Sequence, residues 1–77
     1  MDLSNLPVPA EKKVALKAAI LSAGEGLSDA DRLSLYIGAM YGASEVERGR
    51  LAPPGPVERE LGQHFVDGRD LVVNFFP

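Results

Sequence analysis

At 77 residues the chain has room for one domain and a small core. Its composition, 45% hydrophobic and 25% charged with no cysteine, is that of a folded chain that uses neither disulfides nor thiol chemistry. A net charge of −3, with eight basic residues scattered among eleven acidic ones, disfavours a phosphate backbone as partner.

One histidine and no cysteine leave no structural zinc site of the usual kind, and no metal or cofactor is expected. No apolar run approaches the roughly 18 residues of a membrane span. The start Met1-Asp2-Leu3-Ser4 lacks the positive-then-apolar pattern of a signal peptide, so a cytoplasmic protein is expected. Ordering a chain costs about 1.5 kcal/mol per residue against about 25 cal/mol per Å² of apolar burial, which nearly cancel at this length. Tight helix packing or a second chain must supply the balance.

In chain order, residues 1–8 read as an extended arm held by Pro7 and Pro9. A first helix is predicted from Pro9 to Ala23, with Glu11 near its positive end and Gly24 as a left-handed stop. Its apolar residues fall on two sides, Val14, Ala18 and Leu21 against Leu16, Ile20 and Ala23. Such a helix should be sandwiched, either centrally or at a dimer interface.

Ser28 followed by Asp29 and Asp31 is an N-cap with acids in the first turn, opening a second helix that runs to Tyr41. At about 100° per residue, Leu33, Tyr36, Ile37, Met40 and Tyr41 share one face, which is expected to be core. Leu35, Gly38, Ala39 and Gly42 share the other, mostly small and open to close approach by a neighbouring helix or subunit. Gly42-Ala43-Ser44 reads as a break, because Ser44-Glu45-Val46-Glu47 fits a capping box for a short third helix over Glu45–Leu51; the alternative is one helix continued to Leu51, accepting Gly42 and Gly49 at about 1 kcal/mol each. Ala52-Pro53-Pro54-Gly55-Pro56 is a linker that cannot be helical throughout.

Pro56 suits the first turn of a fourth helix, Val57 to Val66, with Val57, Leu61 and Phe65 as one stripe and Asp67-Gly68 closing it. Residues 71–77, Leu71-Val72-Val73-Asn74-Phe75-Phe76-Pro77, are β-branched and aromatic and read as an extended tail. With no strand in the chain to pair with, that tail is expected to cross to a second chain. The predicted fold is all-α, a single domain over 1–77 of about four short helices with an extended apolar tail.

No constellation carries catalysis. His64 has Glu60 and Asp67 on its helical face, but no nucleophile stands beside it in sequence. Ser34-Leu35 lacks the preceding acid of a phosphopantetheine carrier, since Leu33 occupies that place. The expected function is a non-catalytic protein-binding module, homodimeric and of the inhibitor or adaptor type carried by phages and mobile elements. Candidate partner-binding residues are Glu45, Glu47, Arg48 and Arg50 on a charged helix face, with Val72, Phe75 and Phe76 in the tail. The alternative is a helix-turn-helix DNA-binding regulator, with the turn at Gly42–Ser44 and a recognition helix exposing Glu45, Glu47, Arg48 and Arg50. Two acids at the start of that helix would meet phosphates unfavourably.

Overall fold

A computed structural model describes residues 10–76, which form four helices: α1 (Ala10–Ala23), α2 (Asp29–Glu47), α3 (Pro56–Glu60) and α4 (Gln63–Val73). The fold is all-α, and no strand occurs among the described residues. None of these helices is long and apolar enough to cross a membrane. The arm expected over residues 1–8 lies outside the described residues, as do Pro9 and Pro77.

The entry to α2 follows from its cap. The Ser28 hydroxyl accepts the Asp31 backbone N–H at 3.2 Å, and Asp29 and Asp31 sit at the positive end of the helix. Arg32 then ties the preceding turn down, donating to the carbonyls of Gly24 at 3.1 Å and Leu27 at 2.9 Å. The left-handed residue of that turn is Gly26, not the expected Gly24.

α2 does not break at Gly42–Ser44. It runs unbroken to Glu47, so the turn on which a helix-turn-helix depends is absent and Glu45 lies in the body of α2. Ser44 has no cap to make there, because a helix packed along its length outweighs a single local capping signal. The stop comes instead at Gly49 (φ 74°), with Gly49 N–H donating to the Val46 carbonyl at 3.0 Å and Arg50 N–H to Glu45 at 2.8 Å. That pair of bonds is a Schellman closure, which needs a left-handed residue at Gly49.

The linker over residues 51–55 is irregular, and Pro56 begins α3 as the sequence suggested. The predicted helix from Val57 to Val66 is cut in two at Gly62, whose φ of 106° is one that L side chains rarely adopt. The stripe expected of it dissolves accordingly. Phe65 is buried, while Val57 and Leu61 stay exposed.

α4 continues through the expected stop at Asp67-Gly68 and takes in the first three residues of the expected tail, ending at Val73. The tail is therefore not an extended strand. Val72 is fully buried and Val73 nearly so, while Phe75 and Phe76 close over the same core from the turn that follows. Phe65, Arg69, Val72, Val73 and Phe76 recur at helical spacing, and packing along that stripe overrides the β preference of valine and phenylalanine.

The principal interface of the fold is α2 on α4, and glycine makes it. A Cβ at Gly38 would lie 2.7 Å from the Phe65 carbonyl carbon, and one at Gly68 would lie 2.9 Å from the Ala39 nitrogen. One at Gly42 would lie 2.7 Å from the Arg69 carbonyl oxygen. Real Cβ atoms do not come so close to backbone, so each glycine marks a place where the two main chains touch without side chains between them. α1 lies across this pair and inserts Leu16 and Ile20 beside Ala39 and Val72, the four residues at the centre of the core.

Candidate interaction surface

The glycine crossing fixes which side of α2 is inside. Leu35, Gly38, Ala39, Gly42 and Glu45 face the rest of the molecule and are buried. The opposite side therefore faces out, and it carries the large side chains. Leu33 is 59% exposed, Ile37 47% and Met40 56%. Of the face expected to be core, Leu33, Ile37 and Met40 thus face solvent while Tyr36 and Tyr41 at its edges are half-buried, and the small-residue face is the one closely approached. Burial of a glycine-lined side brings backbone against backbone, which excludes the bulkier side from the same contact.

Leu33, Ile37 and Met40 are spaced by four and then three residues, continued by Ala30 before and Ser44 after. This is the spacing of a coiled-coil seam. Tyr36, three residues from Leu33 and four from Met40, is half-buried at the edge of that seam. With Lys17, Ile20 and Leu21 it lines an apolar recess of about 100 Å³. Leu21 is itself 51% exposed, so the apolar surface runs from the seam onto α1. Only half of the sandwiched α1 is realised within the chain: Leu16 and Ile20 are covered, Val14 and Leu21 are not.

Tyr41 borders the seam on its other side. Its ring packs on Phe65 with centroids 5.4 Å apart, and its hydroxyl donates to Glu58 Oε1 at 2.8 Å. Glu58 Oε2 accepts the Gly55 N–H at 3.0 Å, so one carboxylate both caps α3 and holds it to α2. The hydrogen bond from Tyr41 keeps the Glu58 carboxyl below its ordinary pKa, and the same bond raises the Tyr41 phenol above its own.

Arg69, like Glu45 of α2, is buried. It donates to Asp70 Oδ1 at 2.9 Å and to the Ala52 carbonyl, while its Nε has no partner. It lines an open cleft of about 250 Å³ with Leu51, Pro53, Pro54, Val73 and Asn74. Its evident work is to tie the linker to α4, since both its bonded partners belong to those two segments. Arginine in this place, with a planar fork of donors, suits a carbonyl and a carboxylate at once.

The residues singled out from sequence are dispersed. Glu47, Arg48 and Arg50 stand exposed at the C-terminal end of α2, while Glu45 is turned inward. Val72 is enclosed by its own chain and presents no docking surface; Phe75 and Phe76 are half-buried, rings edge-on at 5.8 Å. His64 pairs with neither Glu60 nor Asp67. Its Nε2 is 3.5 Å from Asp31 of α2, and Asp67 instead accepts from Gln63 at 2.6 Å. Among the described residues no three His, Asp or Glu side chains come together as a metal-holding group. Sequence reasoning misses Leu33, Ile37 and Met40 as a site because it assigns them to the core. The signal that could have reassigned them was the pair Gly38 and Gly42, four residues apart on the opposite side.

Comparison of the chain with protein-family models, curated proteins and solved structures finds no match.

Proposed function

We propose that the protein is a non-catalytic binding module that acts by docking the outward face of α2 on another protein. The observation that carries this reading is the row Leu33, Ile37 and Met40, three large apolar side chains about half exposed at seam spacing in the middle of a 19-residue helix. Single exposed apolar residues are ordinary, whereas a contiguous row continued by Tyr36 and Leu21 is the kind of patch that marks an interaction site. A helix presenting such a row docks through a groove or against another helix. The cysteine-free composition suits a reducing compartment, and we place the protein in the cytoplasm. The inhibitor or adaptor role, of the sort carried by phages and mobile elements, is an analogy from size, acidity and the lack of a catalytic constellation. The free protein is homodimeric on this reading, because so small a core gains from a second chain.

The test is capture from native lysate with the wild-type chain and with Ile37→Arg as bait. The variant should keep its helical circular dichroism and lose the proteins that the wild type retains. If it retains the same proteins, the α2 face is not the binding face.

A further inference from the structure

The seam on α2 has a property that a generic docking face need not have: it is nearly symmetric about the middle of the helix. Leu33 and Met40 flank Ile37, and α2 extends at least four residues beyond the pair at each end. A two-fold axis passing beside Ile37 would therefore lay two copies of α2 antiparallel with almost full overlap. Leu33 of each copy would face Met40 of the other, and Ile37 its own mate.

The charges at the two ends fit the same arrangement. Glu25 and Asp29 stand exposed at the start of α2, where Asp29 is already paired with Arg32 at 3.0 Å, and Arg48 and Arg50 stand exposed beside Glu47 at its end. Neither arginine has an ion pair among the described residues, and neither does Glu25. Antiparallel pairing brings each basic end over an acidic one. Parallel pairing would set acid against acid and arginine against arginine, which costs rather than gains.

We propose that the outward face of α2 is closed in the free protein by the same face of a second copy, antiparallel about Ile37. The proposal rests on the reading of that face as the binding surface and adds what occupies it first. A stable interface covers about 800 Å² per partner, roughly a sixth of the 4803 Å² exposed here. Three side chains do not supply that alone. The recess beside Tyr36 and Leu21, and the charged ends, extend the patch toward it. The same face cannot hold two occupants, so a larger partner competes with the second copy, and opening of the dimer gates partner binding.

The absence of cysteine makes the test clean. Sedimentation equilibrium from low micromolar to near-millimolar protein should show the mass rising toward twice the 8.2 kDa of the chain. Ile37→Arg should remain near the monomer mass throughout, with helical circular dichroism unchanged. Leu33→Cys and Met40→Cys chains, oxidised each alone and as a mixture, should cross-link efficiently only in the mixture, because opposed positions alone bring the two sulfurs within disulfide reach. Arg48→Glu with Arg50→Glu should weaken association several-fold, and less so at high salt. A wild type that stays monomeric over the whole range overturns the proposal while leaving the lysate result standing. Equal cross-linking of each single-cysteine chain with itself overturns the antiparallel register. A dimer that survives Ile37→Arg overturns the assignment of the face.

Discussion

The two sides of α2 make opposite uses of side-chain bulk. On the inner side, Gly38, Ala39 and Gly42 let the helix come against the backbone of α4 around Phe65, Gly68 and Arg69. On the outer side, Leu33, Ile37 and Met40 carry more apolar surface and leave about half of it in water. Hydrophobicity alone would invert this arrangement. What decides it is shape: two helices that meet glycine to backbone exclude solvent along their length, and the side that cannot fit there is left outside. The larger hydrophobic stripe of a short helix is not always its core stripe. When a row of small residues lies opposite, the large stripe is free to serve as an interface.

The inner side is broken most severely by bulk. Gly68→Leu should prevent folding, since the new side chain must enter the α2 backbone at Leu35 and Ala39. Overpacking a core costs about 1–3 kcal/mol where neighbours can yield, and main chain yields less than side chains do. Loss of cooperative thermal unfolding by circular dichroism is the expected result. A variant that folds with unchanged midpoint would show that the crossing is looser than described.

Removing bulk separates the two sides next. Leu16→Ala, at a fully buried position, should destabilise by about 2–5 kcal/mol, a large fraction of the stability of a small domain. Leu33→Ala, measured in dilute solution where association is minimal, should cost about 0.5 kcal/mol or less. Equal losses in urea denaturation would mean that Leu33 is core after all.

A smaller effect joins the outer flank of α2 to α3 through Tyr41 and Glu58. Glu58 has its pKa lowered in the folded state, so its contribution is full above its ordinary value of 4.5 and is lost as pH falls through the lowered one. Tyr41 has its pKa raised, so its contribution is full below the ordinary 10.0 and is lost as pH rises through the raised one. Tyr41→Phe should therefore flatten the dependence of the melting temperature on pH at both the acid and the alkaline end. A profile unchanged at both ends would place the hydrogen bond outside the stability of the fold.

How far the fold was legible depended on the kind of signal each element carries. Ser28 with Asp29 and Asp31 marked the start of α2 because a cap is a local device, readable from four residues. Pro56 marked the start of α3 in the same way, and the close approach on the Gly38 side was also readable, since small residues at helical spacing admit little else. What was not readable was which of two apolar sides of α2 the rest of the chain would cover. That choice is made by α4, and α4 was itself misjudged. Gly68 looked like a stop because an isolated glycine lowers helix propensity by about 1 kcal/mol, yet here the contact it permits with α2 offsets that cost. Val72 and Val73 looked like a strand because β-branched residues favour one, and only their register with Phe65 and Arg69 reveals a helix. The candidate surface was hidden by the same error, since calling Leu33, Ile37 and Met40 core removed them from view as a site.

The smallest expected effect is at His64, whose contact with Asp31 is long and partly solvated. His64→Gln should shift stability by less than about 0.5 kcal/mol and leave self-association and partner capture unchanged. A loss of either with the fold intact would assign His64 a role in recognition.

That the small side of α2 is inside and the large side outside can be read from one pair of urea denaturation curves. Gly38→Ala adds a single methyl and should raise helix propensity by about 1 kcal/mol, whereas Ile37→Ala removes most of a large apolar side chain. Both curves are recorded in dilute solution. Gly38→Ala should be clearly destabilised, because its new Cβ meets the Phe65 carbonyl, while Ile37→Ala should shift by less than about 0.5 kcal/mol. The reverse order, a stabilised Gly38→Ala beside an Ile37→Ala that loses about 2 kcal/mol or more, would contradict this arrangement.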